Sequence, residues 1–232
     1  MAVMKKKALW RVGAFVLLGG VFMATTARAA TTPDSLIKDS IDVIKAMMQE
    51  KDVSDMADVI RGAHAVAFIP AMYKAGLILG GEYGEGLILR KQKGKWYGPS
   101  FYNLAGGSVG LQLGVQKTAF VLVVNNEKGV EAFLRSKTKL GADATVAAGP
   151  VGRRGDAATD AQLKASIYSY SMSKGLFAGV SLDGSVLSIS VKRNKEYWGK
   201  SISADDALKT AATDKRILPL IQEVERISKQ KK

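Results

Sequence analysis

Val109-Gly110-Leu111-Gln112-Leu113-Gly114-Val115, followed by Ala119-Phe120-Val121-Leu122-Val123-Val124, decides the fold class. In the first stretch apolar residues fall at every second position, the repeat of a strand with one buried face. The second is apolar throughout, which reads as a strand buried on both faces. Working outward, Tyr168, Tyr170 and Met172 alternate with Ser169 and Ser171, and Leu187, Ile189 and Val191 alternate with Ser188 and Ser190. Upstream, residues 65–69 form a short apolar run ended by Pro70. Helical spacing takes over at the two ends. Thr32-Pro33-Asp34 supplies a cap, a first-turn proline and an acid at the positive end of the helix dipole, and Leu36, Ile37, Ile41, Ile44, Met47 and Met48 follow. Ser54 is placed to cap a short second helix through Met56, Val59 and Ile60, and Asn125 or Asn126 to cap one reaching Leu134. Ile217, Leu220, Ile221, Val224 and Ile227 make a last amphipathic helix with a basic tail. No long linker intervenes. The expectation is a single α+β domain: a curved antiparallel or barrel-like sheet with helices at the N- and C-terminal ends. Glycines inside the strands allow the sheet to bend.

The composition narrows the chemistry. Of 232 residues, 47% are hydrophobic and 24% charged, which supports a packed core. There is no cysteine, so disulfides, thiolate metal sites and a cysteine nucleophile are excluded. The single histidine, His64, is too little for a usual zinc site and reads as a partly buried structural residue. No cofactor is expected. Lys5, Lys6, Lys7 and Arg11 precede an apolar run over 12–24 and an Ala27-Arg28-Ala29 cleavage pattern, so residues 1–29 read as a signal peptide and 30–232 as the domain. The expected location is periplasmic or secreted. Removing the leader's five basic residues lowers the net charge from +13 to +8. A chain this basic suits anionic partners, and for an exported protein these are anionic lipid, lipopolysaccharide or acidic glycan rather than nucleic acid.

Catalytic motifs fail on context. Gly106-Gly107-Ser108-Val109-Gly110 matches G-x-S-x-G, but a strand pattern follows and no histidine lies downstream. Ser171-Met172-Ser173-Lys174 matches S-x-x-K without its companion motifs. Glu82 and Glu85 read as acids of a solvated glycine-rich turn. The candidates for contact with lipid or another anion are basic. Lys91, Lys93 and Lys95 precede Trp96; Lys192, Arg193 and Lys195 precede Trp198; Arg153 and Arg154 sit in a Gly-Pro loop. The first two sets echo one another, each reading as strand, glycine turn, strand, basic tip, aromatic pair and glycine, as if one hairpin had been used twice. Indole rings favour a headgroup layer, and basic residues favour an anionic one.

The run Tyr168-Ser169-Tyr170-Ser171-Met172-Ser173-Lys174-Gly175-Leu176-Phe177-Ala178-Gly179-Val180-Ser181-Leu182-Asp183-Gly184 resembles the signature of the SYLF-domain family. Gly80-Gly81-Glu82-Tyr83-Gly84, Trp96-Tyr97-Gly98-Pro99-Ser100, Gly110-Leu111-Gln112-Leu113-Gly114, Gly141-Ala142-Asp143 and Tyr197-Trp198-Gly199 follow the family's order. The leader makes the chain similar to exported bacterial members that stand alone. The resemblance implies a lipid- or membrane-binding module, phosphoinositide-binding in eukaryotic members and actin-binding in some fungal ones, and not an enzyme. Actin enters by this analogy only and is not expected of an exported protein. Ala119 departs from the pattern, which has an aspartate there. Two functions stay open at this point, a module for anionic membrane surfaces and an envelope module for protein or glycan. The lipid, the pathway and the oligomeric state are not set by the sequence.

Overall fold

The computed structural model describes residues 31–50, 53–76, 79–109, 115–150 and 164–230. Strands β1 (Ala65–Gly76), β2 (Leu79–Gln92), β3 (Lys95–Val109) and β4 (Val115–Val124) follow two helices, α1 (Pro33–Met47) and α2 (Val53–Arg61). Helix α3 (Glu127–Leu134) leads into β5 (Lys137–Lys139), β6 (Val146–Ala148), β7 (Ile167–Ser173), β8 (Leu176–Gly179) and β9 (Val186–Ile189). Helices α4 (Val191–Trp198), α5 (Ala204–Ala207) and α6 (Leu218–Ser228) close the chain. The strands form one sheet in the order β5-β9-β3-β2-β1-β4-β7-β6, with β8 also on β7, curled into a half-barrel. The expected α+β single domain with a curved sheet and a helix at each end is what is found. Pairing is antiparallel except between β6 and β7, which run parallel.

Local chemistry accounts for the helix starts. The Thr32 hydroxyl accepts the Ser35 N–H and the Ser35 hydroxyl takes the Thr32 N–H, a reciprocal cap on α1. Asn126 caps α3 by accepting from the Gly129 N–H at 2.9 Å. Ser54 lies inside the first turn of α2 rather than ahead of it.

Both sheet faces are covered, which is why β4 is apolar at every position from Phe120 on. Val66, Phe68, Leu87, Leu89, Phe101, Val121, Val123, Tyr168 and Tyr170 face α1, α2 and α6. Ala65, Ala67, Ile69, Ile88, Tyr102, Leu104, Phe120 and Leu122 face the other way, under Val130 and Phe133 of α3. Each of the buried valine, leucine, isoleucine and phenylalanine side chains contributes about 1.5–3 kcal/mol.

Two expectations are corrected here. The run over 65–69 does not end at Pro70. The register of β1 slips by one residue against both neighbours around this proline, and the strand continues to Gly76. A bulge tolerates a residue with no N–H to donate. The slip also reverses the facing, so that even-numbered Met72 joins the face of odd-numbered Ile69. The second correction concerns the repeated hairpin. Residues 191–198 form helix α4, and β9 pairs with β3 and β5 rather than with β8. The echo is one hairpin and one helix, not one design used twice.

Candidate basic surface

The first basic set sits on the β2–β3 hairpin. Lys93 (φ 48) and Gly94 (φ 75) are both left-handed, the two-residue turn whose twist matches the strands. Gln92 pairs with Lys95 and Lys91 with Trp96 across it. Lys93 and Lys95 are exposed and Lys91 is half-buried, its ammonium 5.7 Å from the centre of the Trp96 ring. None of the three lysines makes an ion pair among the described residues. Trp96 itself is only 8% exposed. Its indole N–H donates to Glu225 Oε1 at 3.2 Å, and its carbonyl accepts the Ala212 N–H. It anchors the hairpin root to α6 rather than projecting from the tip.

The second set divides along α4. Lys192 and Lys195 point to solvent, while Arg193 and Asn194 face the sheet. The Arg193 guanidinium lies 3.3 Å from both oxygens of Glu85, and its Nη1 is 2.9 Å from Glu196. Burial works against this cation, but Glu196 and Glu85 outweigh it, and its pKa lies above the ordinary arginine value. The Asn194 amide accepts the Phe101 N–H and donates to the Phe101 carbonyl, both at 3.0 Å, so the helix takes the place of a further strand beside β3. Trp198 is half-buried, its indole donating to the Pro99 carbonyl at 3.1 Å. From Lys95 to Pro99 is about 13 Å of strand, so β3 carries the lysine hairpin at one end and α4 a little further along. Arg153 and Arg154 lie outside the described residues, as does the leader.

Glu82 and Glu85 stand within β2, not in a turn. Glu85 is bound to Arg193, and the Tyr83 hydroxyl lies within reach of Glu85 and Asn103. His64 is half-exposed, with Nδ1 3.0 Å from Glu127 Oε1; the other oxygen of Glu127 takes a 2.8 Å bond from Arg90. Sequence reasoning missed both networks, because each partner lies far along the chain from the group it holds. Ser108 continues β3 opposite Gly80, where a nucleophile elbow would turn into a helix. Ser171 is buried in β7 and donates to the Ala178 carbonyl. Among the described residues no group of three or more His, Asp or Glu side chains is placed to hold a metal, and no helix is long and apolar enough to cross a membrane.

Comparison with known proteins places the chain. A family model described as Ysc84, Las17-binding protein actin regulator, matches residues 105–227. LAS seventeen-binding protein 3 of Saccharomyces cerevisiae is 37% identical over 151 residues, 63% of this chain and 33% of the relative. Protein YSC84 of the same yeast is 37% identical over 150 residues, 63% of this chain and 32% of the relative. The human SH3 domain-containing YSC84-like protein 1 is 35% identical over 154 residues, 66% of this chain and 45% of the relative. The chain thus spans about a third of the yeast relatives and under half of the human one.

Proposed function

The chain belongs to the Ysc84 family, that of the SYLF domain, and from that premise we propose a non-enzymatic module that binds an anionic membrane surface through its basic side chains, in the envelope of a bacterium that exports it. The observation that carries the reading is the Lys91, Lys93, Lys95 hairpin, three cations at one turn with no internal acid to neutralise them. Lys192 and Lys195, exposed on α4, add two further cations to the proposed contact. The aromatic half of the sequence-based site drops out of the contact, because Trp96 is packed inside and Trp198 is tied to Pro99. The test is sedimentation with vesicles of phosphatidylcholine alone or mixed with phosphatidylglycerol. Wild type should pellet only with the anionic mixture, and replacing Lys91, Lys93 and Lys95 together by glutamine should release it. Equal pelleting with both vesicle types, or no effect of the triple change, defeats the reading. Export is checked by sequencing the mature N-terminus, expected near Ala30.

A second reading is a protein-binding module. It is favoured by the family description, which names Las17 and actin, and by the span of the match, which begins at residue 105 and leaves out the lysine hairpin. Co-sedimentation with actin filaments that survives the triple lysine change supports this reading over the first.

A further inference from the structure

The strand registers sort the connections to two ends of the sheet. Ala65 pairs with Arg90 and Val124, which places the Lys93-Gly94 turn at one end. Ala75 pairs with Gly81 and Val115 at the other, and β7 runs toward that far end. There β7 and β8 meet at Lys174 (φ 50) and Gly175 (φ 77), a second two-residue left-handed turn. Directly after it stands Leu176, 74% exposed, more than any other large apolar side chain among the described residues. Three lysines stand at the same end of the sheet, two of them across β7 from it. Lys174 is in the turn. Lys117 lies on the neighbouring strand, two residues before the Ala119–Met172 pair, and Lys74 sits one strand further, opposite Gln116. Gln116 in turn donates to the Ser173 hydroxyl at 3.3 Å, bringing the β4 end against the turn. None of these lysines makes an ion pair among the described residues. Glu82 on β2 and Asp183, in the connection before β9, are acids near this end. Glu82 stands opposite Lys74, and its carboxylate takes a 3.4 Å hydrogen bond from Ser185.

We propose that this end of the sheet is a second contact with an anionic bilayer, Leu176 entering the boundary between headgroups and acyl chains while Lys174, Lys117 and Lys74 lie at the level of the phosphates. A leucine this exposed beside a two-residue turn brings no hollow of its own. A fluid lipid layer closes around such a shape, whereas a protein partner must supply a matching pocket. An apolar point with one lysine beside it and two more at the same end of the sheet is a pattern that an anionic interface rewards twice, by partition and by charge. The proposal rests on the reading of the chain as a module for anionic membranes. It concerns a different set of residues, about 30 Å away along β2, the nine residues from Lys91 to the Glu82 that faces Lys74.

The chain contains no cysteine, so Leu176→Cys offers one point for an environment-sensitive fluorophore. With phosphatidylglycerol-containing vesicles its emission should shift to the blue and brighten, and with phosphatidylcholine alone it should not. Leu176→Ser should weaken sedimentation with the anionic vesicles about tenfold. Lys117→Gln and Lys174→Gln should each weaken it about fivefold. These side chains are exposed, and a thermal melt on each variant verifies folding. A fluorophore at position 176 that stays unshifted while the protein pellets overturns the second contact and leaves the lysine hairpin standing. Undiminished binding of Leu176→Ser does the same. If wild type fails to pellet with anionic vesicles, both readings fall together.

Discussion

Arg193 reaches from α4 to Glu85 in the middle of β2, its Nη2 3.3 Å from both carboxylate oxygens, with side-chain exposures of 10% and 16%. The two residues are 108 positions apart in the chain. A pair this deep gains little over an apolar replacement of both members, but removing one member leaves the other charged and poorly solvated. Glu196 still holds Arg193 after Glu85 is lost. Glu85→Gln should therefore cost about 2 kcal/mol, below the usual range for an orphaned buried charge. Denaturant unfolding of Glu85→Gln, Arg193→Met and the double variant checks it. The double variant should be more stable than the sum of the single losses implies, and additive losses would show that the pair is not coupled.

Asn194 should matter more than its size suggests. Its amide serves the Phe101 N–H and carbonyl and the Ser190 carbonyl, all buried. Asn194→Ala strands both groups of Phe101 beneath α4 and should cost about 2–4 kcal/mol. Asn194→Asp keeps the acceptor but cannot donate, so it should recover only part of the loss. Urea midpoints, with an unchanged slope, test both.

These two residues also show where the sequence stops being legible. The terminal helices could be read because cap, first-turn proline and apolar period coincide at Thr32-Pro33, and because Leu220, Ile221, Val224 and Ile227 repeat at helical spacing. β4 and β7 could be read because their burial leaves a pattern of period two or an unbroken apolar run. Helix α4 could not. Its buried face is Arg193, Asn194 and Tyr197, and two of these are polar residues whose partners, Glu85 and Phe101, lie on other strands. Read along the chain, the same residues look like a solvated basic tip. The burial of Trp96 was hidden for the same reason: its partner, Glu225, stands 129 residues further on. The strand after Pro70 was obscured because a bulge reverses the alternation midway. The glycine-rich stretch around Glu82 and Glu85, read as a turn, is the interior of β2.

Acid should loosen the contact between α4 and the segment before α6. The hydrogen bond from Arg216 leads the causes that hold the Asp214 carboxyl below its ordinary value; Arg216 in turn lies 4.1 Å over the Tyr197 ring. A carboxyl depressed in the folded state stabilises the fold above its unfolded pKa of about 3.9. That contribution is lost as the pH falls through the lower folded value. Wild type should thus lose stability between pH 5 and about pH 3. Asp214→Asn should start lower and change less over the same interval. Thermal melts in matched ionic strength at several pH values decide the matter, and parallel curves for the two proteins would rule out Asp214 as the source.

Trp96 separates packing from binding. The ring is packed with the helix-face core and its indole N–H is bonded to Glu225, while Lys91, Lys93 and Lys95 stand outside it. Trp96→Ala should cost about 3–5 kcal/mol of stability, the usual loss for a buried aromatic. Trp96→Phe, which keeps much of the volume and loses the hydrogen bond, should cost about 1 kcal/mol. Neither change removes a charge, so the folded fraction of each should bind anionic vesicles as wild type does. The three lysines should behave in the opposite sense. Their joint replacement by glutamine should change the melting temperature little, since Lys93 and Lys95 are exposed without ion pairs and Lys91 gives up only its contact with the Trp96 ring. It should nevertheless weaken vesicle binding by up to about 3 kcal/mol, at roughly 1 kcal/mol for each charge near an anionic surface. The residual binding should also depend less on salt over the range in which the Debye length falls to about 8 Å. Vesicle titrations and melts on the same four proteins test this division. A Trp96→Phe variant that melts like wild type but no longer binds would put the indole back at the membrane.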